Sequence, residues 1–162
     1  MTLVAVIADT HLPRGSRKLP DACVERLRVA ELILHAGDFV SAAFLAELEE
    51  LGPPVLGVYG NMDEPALKEA LPLERVVETG GARIAMVHIP GPRAGREARL
   101  AGRFPECDAV VYAHTHVPHV EQAGAVWLLN PGSPTERRTA PGHSMLMLRV
   151  EDRRIEPELV RL

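Results

Sequence analysis

Seven side chains that could ligate a metal ion follow short apolar runs along the chain. They are Asp9, His11, Asp38, Asn61, His88, His114 and His116. Four imidazoles, two carboxylates and one carboxamide offer only nitrogen and oxygen donors, a set typical of manganese, iron, nickel or zinc rather than of a closed structural zinc site. Such a set is too large for one ion and matches two ions that share a carboxylate. Two-metal sites recur in enzymes that hydrolyse phosphate esters, because both ions stabilise the charge that develops on the phosphoryl oxygens.

Each of these residues also has an ordinary structural explanation. Asp38 and Asn61 both follow a glycine, and Gly-Asp and Gly-Asn are common turn dipeptides. His88 ends an apolar run, where a histidine is more often a satisfied core residue than a ligand. Asp9 and His11 lie on the same side of the chain only if strand geometry persists beyond residue 8. The hypothesis of a metal site therefore depends on the order, spacing and placement of the whole set.

The apolar runs that precede the first four of these residues predict the strands of a parallel sheet. Continuous apolar stretches are typical of strands that are buried on both faces. Strands are predicted at 3–8, 32–36 and 55–59, and helices at 21–29, 41–51 and 64–71. This alternation implies βαβ crossovers, and the carboxyl ends of parallel strands meet at an edge where ligands bind.

The second half of the chain predicts a hairpin, a helix and a series of short strands. The hairpin joins residues 74–79 and 82–88 through a Gly-Gly turn. A helix is predicted at 93–103 and strands at 108–112, 117–122, 126–130, 144–150 and 155–160. Together the two halves predict an α/β fold, a four-layer α/β/β/α sandwich of two mixed β-sheets. No linker or repeat interrupts the pattern, which favours a single domain over residues 1–162.

Composition narrows the class of protein. The chain has 162 residues, 46% of them hydrophobic, and a net charge of −4. This balance favours one packed core and argues against a protein that coats nucleic acid or a membrane surface. Aromatic residues make up only 4% of the chain, too few for a nucleic-acid stacking platform. Two isolated cysteines, the lack of a signal-peptide pattern and the lack of a long apolar run predict a cytoplasmic protein without a membrane span.

In their order and spacing, the motifs resemble those of the calcineurin-like metallophosphoesterase superfamily, and most of all its small YfcE-type phosphodiesterases. The motifs are Asp9-x-His11, Gly37-Asp38, Gly60-Asn61, His88, His114-Thr115-His116 and Asn130-Pro131-Gly132-Ser133. The resemblance implies two metal ions bridged by Asp38. One ion would take Asp9, His11 and His116, and the other would take Asn61, His88 and His114. It also implies that the turn at 130–133 closes over the site and supports its shape.

The function implied by this resemblance is hydrolysis of small phosphodiesters by a metal-bridging hydroxide. The residues expected to act in catalysis are His11, Asp38, Asn61 and His88. Manganese is the expected metal, with nickel, iron and zinc as alternatives, and a homodimer or homotetramer is the expected assembly. Because so short a chain has no room for a cap domain, the site should be open to a broad range of substrates.

The chain departs from the superfamily pattern at several positions. Met62 follows Asn61 where the larger phosphatases carry a histidine that can protonate the leaving group. His11 or Asp63 is available as a substitute acid, although Asp63 equally fits the N-cap of a helix that begins at Glu64. Ile89 replaces a usual glycine after the histidine of its motif. His35 and His119 adjoin motifs but match no ligand position, which favours core or loop roles.

Alternatives from other classes remain open at this point. A retromer subunit that shares the fold serves chiefly as an interaction scaffold and has an incomplete metal set, whereas every ligand position is filled here. A nuclease would require a broad basic stripe or stacking aromatics. Four arginines on one side of a predicted helix offer either a basic face for an anionic substrate or an ordinary solvated face. These are Arg93, Arg96, Arg99 and Arg103.

Overall fold

The computed structural model describes residues 1–162 as ten strands and four helices. In chain order they are β1 (Thr2–Ile7), α1 (Asp21–Val29), β2 (Leu32–His35), α2 (Ala42–Glu49), β3 (Val55–Gly57), α3 (Pro65–Ala70), β4 (Glu74–Thr79), β5 (Ala82–Val87), α4 (Arg96–Arg103), β6 (Ala109–Tyr112), β7 (His119–Ala123), β8 (Val126–Asn130), β9 (Ser144–Glu151) and β10 (Arg154–Arg161). Every predicted element is present. The second and third strands end earlier than predicted, so that the polar residues after them lie in loops.

The first sheet has the strand order β10-β9-β1-β2-β3. Its strands β1, β2 and β3 are parallel, as the alternation of apolar runs and helices predicts. The hairpin of β9 and β10 adds to this sheet, with β9 antiparallel to β1. The last strands of the chain thus lie beside the first, and β1, which Asp9 follows, occupies the centre of its sheet.

The second sheet has the strand order β4-β5-β6-β8-β7. The predicted hairpin of β4 and β5 is present, and β7 pairs with β8 in a second hairpin. Between these hairpins, β5, β6 and β8 are parallel. The second half of the chain therefore contains parallel strands as well as the hairpins that its sequence predicts. The carboxyl ends of these parallel strands lie at one edge of the sheet.

The two sheets pack face to face with helices on both outer surfaces. Val4 and Val6 point into a cluster of 19 buried hydrophobic residues between the sheets. Ala5 and Ile7 alternate to the opposite face, where they pack with residues of α1, α2 and α3. Leu100 of α4 covers the outer face of the second sheet. The predicted α/β/β/α sandwich is confirmed. None of the helices has the length and apolar character needed to cross a membrane.

Candidate metal centre

The residues predicted as ligands lie at the carboxyl ends of parallel strands from both sheets. The first sheet supplies Asp9 and His11 after β1, Asp38 after β2 and Asn61 after β3, and the second supplies His88 after β5 and His114 and His116 after β6. Six of them form two groups whose ligand atoms lie within 4.8 Å of one another in each group. The fold therefore gathers residues that are more than a hundred positions apart into one place.

The first group consists of Asp9, His11 and His116, all buried. The Oδ1 atom of Asp9 lies 3.5 Å from His116 Nε2 and 3.9 Å from His11 Nε2. None of these three atoms has a hydrogen-bond partner in the protein. A buried polar atom without a partner costs about 1–3 kcal/mol, so three such atoms facing one point fit a cation that they would share. The nitrogen and oxygen donors of this group therefore fit a site for a divalent metal ion.

The second group consists of Asp38, His88 and His114. Asn61 lies beside them, with its Oδ1 atom 3.2 Å from His88 Nε2. Carboxylate, imidazole and carboxamide donors are again nitrogen and oxygen ligands, as divalent first-row metals accept. The structure thus places Asn61 where the resemblance puts a ligand of the second ion.

Asp38 lies between the two groups. Its Oδ2 atom is 3.5 Å from His11 Nε2 in one group and 3.3 Å from His88 Nε2 in the other. Its Oδ1 atom accepts a hydrogen bond of 2.8 Å from the backbone N–H of Met62. One carboxylate oxygen is therefore fixed by the backbone while the other faces both groups. This arrangement supports a bridging position for Asp38.

Backbone carbonyls orient two of the imidazoles. His88 Nδ1 lies 2.8 Å from the carbonyl oxygen of Ala36, and His116 Nδ1 lies 2.6 Å from that of Glu136. Because a carbonyl only accepts hydrogen bonds, each Nδ1 carries the proton and donates it. The Nε2 atom of each ring therefore faces the centre, which is how metal-ligating histidines are commonly held.

Burial and neighbouring charges shift the pKa values in the centre. Burial raises the pKa of Asp9 from 3.8 to about 7, and the nearby Asp38 adds to that rise against the opposing charge of His88. Burial lowers the pKa of His116 from 6.5 to about 4. Burial would also lower the pKa of His88, but the hydrogen bond to Asp38 and the charge of Asp9 raise it overall. A divalent cation among these groups would favour ionised carboxylates and neutral imidazoles.

The backbone at the centre differs from the strand geometry expected after β1. Strand β1 ends at Ile7, and Asp9 and His11 have left-handed φ values of 53° and 47°. Asp38, His114 and His116 are left-handed as well, with φ values of 59°, 70° and 61°. For residues with a Cβ atom this conformation costs about 1–2 kcal/mol each. Backbone strain of this kind tends to concentrate at functional sites. Here the left-handed conformation directs these side chains toward the centre, whereas an extended backbone would direct them elsewhere.

Asp63 has a role that differs from both predictions made for it. Its carboxylate accepts hydrogen bonds from the backbone N–H groups of Asp38, Val40 and Gly60 at 3.1, 2.6 and 2.7 Å. Helix α3 has Glu64 as its N-cap residue, so the N-cap interpretation of Asp63 is wrong. A buried carboxylate engaged by three N–H groups is also poorly placed to donate a proton. Asp63 instead holds the loops after β2 and β3 together.

His35, for which the sequence favours a core or loop role, is a second positioning residue. It is fully buried, and its Nδ1 atom accepts a hydrogen bond of 3.2 Å from the N–H of Gly37. Its Nε2 atom therefore carries the proton and donates to Thr10 Oγ1 at 3.0 Å. The ring also stacks on Phe39 with 3.5 Å between centroids. His35 thus connects the loop after β1 with the loop after β2, and no spacing rule would have identified it.

The turn at 130–133 holds two of the loops that carry the candidate ligands. Ser133 Oγ donates a hydrogen bond of 2.7 Å to the carbonyl oxygen of Asp9. Asn130 Nδ2 donates to Thr115 Oγ1 at 3.1 Å, and Asn130 Oδ1 accepts from the N–H of Gly132 at 2.9 Å. The turn therefore fixes the loop after β1 and the loop after β6 relative to each other.

Two arginines of α4, Arg96 and Arg99, donate hydrogen bonds to backbone carbonyl groups. Arg99 donates hydrogen bonds to the carbonyl oxygens of Pro90, Pro92 and Ala94. Arg96 donates to the carbonyl oxygen of Gly91 at 3.0 Å. These two guanidinium groups hold the loop that follows His88, whereas Arg93 lies before α4 and Arg103 pairs with Glu74.

Comparisons with known proteins give a consistent result over nearly the whole chain. A family model described as the calcineurin-like phosphoesterase superfamily domain matches residues 1–153. A protein of Methanothermobacter thermautotrophicus named "Probable metallophosphoesterase" is 38% identical over 162 residues, which cover 98% of this chain and 92% of that protein. A phosphodiesterase of Methanocaldococcus jannaschii is 27% identical over 142 residues, which cover 80% of this chain and 82% of that protein. The crystal structure of Vps29 from Entamoeba histolytica complexed with zinc has a TM-score of 0.78 and 26% identity, and the similarity covers 98% of each chain.

Proposed function

The chain belongs to the calcineurin-like phosphoesterase superfamily, and from its centre we propose that it is a phosphodiesterase that uses two divalent metal ions. One observation carries the proposal. The buried atoms Asp9 Oδ1, His11 Nε2 and His116 Nε2 have no partner in the protein, and they adjoin a second donor group through Asp38. A centre built in this way fits two ions better than one.

The residues that would hold the ions are those of the two groups. Asp9, His11 and His116 would hold one ion, Asn61, His88 and His114 would hold the other, and Asp38 would contact both. When bound, the ions would supply positive charge that makes a water a stronger nucleophile and balances the charge on the phosphoryl oxygens. The chain's own contribution is the fixed orientation of His88 and His116 and the placement of the Asn61 carboxamide beside His88.

The proposed substrate is a small phosphodiester whose leaving group departs without strong acid assistance. Met62 occupies the position after Asn61, and its side chain is 56% exposed and carries no proton to donate. Asp63 is occupied by backbone N–H groups. Burial lowers the pKa of His11, so that this ring is neutral near pH 7. Esters with good leaving groups should therefore react fastest, and this supports diesters over alkyl monoesters.

The proposal includes manganese as the metal, with nickel, iron and zinc as alternatives, because all of them accept nitrogen and oxygen donors. It also places the enzyme in the cytoplasm, where the buried thiols Cys23 and Cys107 would remain reduced. A homodimer or homotetramer remains part of the proposal as well.

The structural similarity to Vps29 supports a second candidate, a protein-interaction scaffold of the same fold. Exposed apolar side chains near the centre are the observation that favours it. Met62, Leu73 and Ile89 are 56%, 52% and 48% exposed, and apolar surface of this kind is typical of binding sites. The complete donor set is the observation that favours the enzyme.

The test compares metal-stripped protein with protein to which manganese, nickel, magnesium or zinc has been added back separately. Hydrolysis of a chromogenic phosphodiester and of the matching monoester is followed in each case. Diester turnover that returns with manganese or nickel is the expected result. Preference for the monoester would contradict the proposed leaving-group chemistry, and two bound ions without turnover would favour the scaffold.

A further inference from the structure

A cavity of about 620 Å³ opens directly beside the candidate metal centre. Asn61 and His88 belong to both, since they line the cavity and face the donor groups. A ligand whose phosphoryl group lies at the centre would therefore extend into this space. Cavities of about 300–1,000 Å³ are the usual size of small-molecule sites, so the volume is sufficient for a substantial organic group.

The outer wall of the cavity is apolar. Leu73, just before β4, is 52% exposed, and Ile89, directly after His88, is 48% exposed. Tyr59 and Val87 add an aromatic ring and a buried aliphatic surface. Large aliphatic side chains left in water at the edge of a polar centre favour a ligand that removes them from water. A small polar alcohol would cover little of this surface.

The charged side chains of the lining are cationic. Lys68 and Arg103 both line the cavity, and no carboxylate does. Arg103 is paired with Glu74, whereas Lys68 has no acidic partner, and its ammonium group donates to the carbonyl oxygen of Asn61 at 3.2 Å. A neutral or anionic ligand group suits this lining, and a quaternary ammonium group would be repelled by it.

We propose that this cavity binds one ester substituent of the substrate and selects an aromatic ring that is neutral or anionic. The inference rests on the proposed function, because the substituent would occupy the cavity while the phosphoryl group of the same ester lies at the adjoining centre. Ring-bearing phosphoesters, with aryl or nucleobase-like groups, are then better ligands than esters of glycerol or choline.

The test is calorimetric titration of the manganese-loaded protein with three phosphonates that share a head group. They are phenylphosphonate, methylphosphonate and 2-trimethylammonioethylphosphonate, none of which has a phosphoester bond to hydrolyse. The expected result is binding of phenylphosphonate about tenfold or more tighter than methylphosphonate, as burial of one ring allows. The trimethylammonio compound should bind no more tightly than methylphosphonate.

Matched serine variants then locate the preference. Leu73→Ser and Ile89→Ser should each lower the ratio of phenyl to methyl affinity toward one. Val76→Ser is the control, since Val76 lies on β4 outside the cavity and is 41% exposed; it should leave the ratio unchanged. A ratio near one in the unaltered protein, or an equal fall in the Val76→Ser variant, would overturn the proposal.

The experiment separates this proposal from the proposed function. Diester turnover together with equal binding of the phenyl and methyl compounds would overturn the cavity assignment and leave the activity standing. Selective phenylphosphonate binding without turnover with any metal would overturn the phosphodiesterase and support the cavity as a ligand site.

Discussion

At the scale of single residues, the candidate centre depends on groups that orient its donor side chains as much as on those side chains themselves. The carbonyl oxygens of Ala36 and Glu136 orient two imidazoles, and Asp63 and His35 hold the loops that carry Asp9 and Asp38. Replacing such partners of metal ligands typically lowers metal affinity or activity by about 10–100-fold. The chemistry of the site is therefore sensitive to substitutions that touch no ligand.

Replacing Asp63 tests this sensitivity. An amide in Asp63→Asn has one acceptor oxygen, so at least one of the three backbone N–H groups now bound by the carboxylate loses its partner. We expect a loss of about 1–3 kcal/mol in the free energy of unfolding, together with weaker manganese binding. Urea denaturation and metal titration measure the two effects. Asp152→Asn, at an exposed turn position, removes the same charge and should change stability by less than about 0.5 kcal/mol; equal effects in both variants would contradict the role of Asp63.

Metal affinity should depend on pH through Asp9. Its pKa of about 7 in the absence of metal means that a proton must leave before the carboxylate can bind a cation. Below pH 7 the proton competes with the metal, so affinity for manganese should fall as pH falls and binding should release protons. The raised pKa of His88 adds to this release in the same direction. Calorimetry in buffers of different ionisation enthalpy counts the protons that are released when manganese binds. A manganese affinity that is constant between pH 5 and pH 7 would contradict the role of Asp9 as a metal ligand.

At the scale of elements, the sequence predicts strands better than it predicts the loops after them. The apolar runs locate β1, β2 and β3, because burial on both faces leaves a clear pattern. The left-handed backbone of Asp9 and His114 leaves no such pattern, since it is imposed by hydrogen bonds between loops that are distant in sequence. Asp63 and His35 escape prediction for a related reason: the carboxylate of Asp63 and the Nδ1 atom of His35 accept hydrogen bonds from backbone N–H groups, which every non-proline residue has.

The contact between two of these loops can be tested at Gly60. A Cβ atom built at this position would lie 2.5 Å from the backbone nitrogen of Asp38 and still closer to its carboxylate. Gly60→Ala should therefore displace the Asp38 carboxylate, weaken manganese binding by about tenfold or more and destabilise the protein by about 1–3 kcal/mol. Metal titration and thermal unfolding measure these changes.

Gly102→Ala is the matched control for that variant. Gly102 lies in α4, and a Cβ atom there would meet nothing within 4 Å. Alanine should stabilise the helix by up to about 1 kcal/mol and leave metal affinity unchanged. If Gly60→Ala binds manganese as tightly as this control, the two loops are less closely packed than the structure indicates.

At the scale of the whole molecule, the centre joins the two sheets. Asp9 and Asp38 come from the first sheet, and His88 and His116 come from the second. The layered fold follows from the alternation of apolar side chains, but the pairing of β9 with β1 does not, because strand order depends on packing between distant segments. The sequence thus predicts the layers of the fold and the polar residues of the candidate centre. The strand order, which the sequence does not predict, brings these residues together.

A metal held between the sheets should stabilise the entire fold. Binding to the folded state alone adds about 2.7 kcal/mol when the free ion is at 100 times its dissociation constant. Thermal unfolding of the stripped protein should therefore move to higher temperature with added manganese and return with a chelator. Asp38→Asn should show a much smaller shift, because the group between the two donor sets is altered. A shift of the same size in both proteins would contradict a shared ligand.

The most direct test of the dinuclear phosphodiesterase is one titration with two readouts. Manganese is added stepwise to the metal-stripped protein while bound ions per chain and hydrolysis of an aryl phosphodiester are measured on the same samples. We predict that turnover rises only as the second ion binds and reaches its maximum at two ions per chain. Full turnover at one ion per chain, or two tightly bound ions without any turnover, would contradict the account.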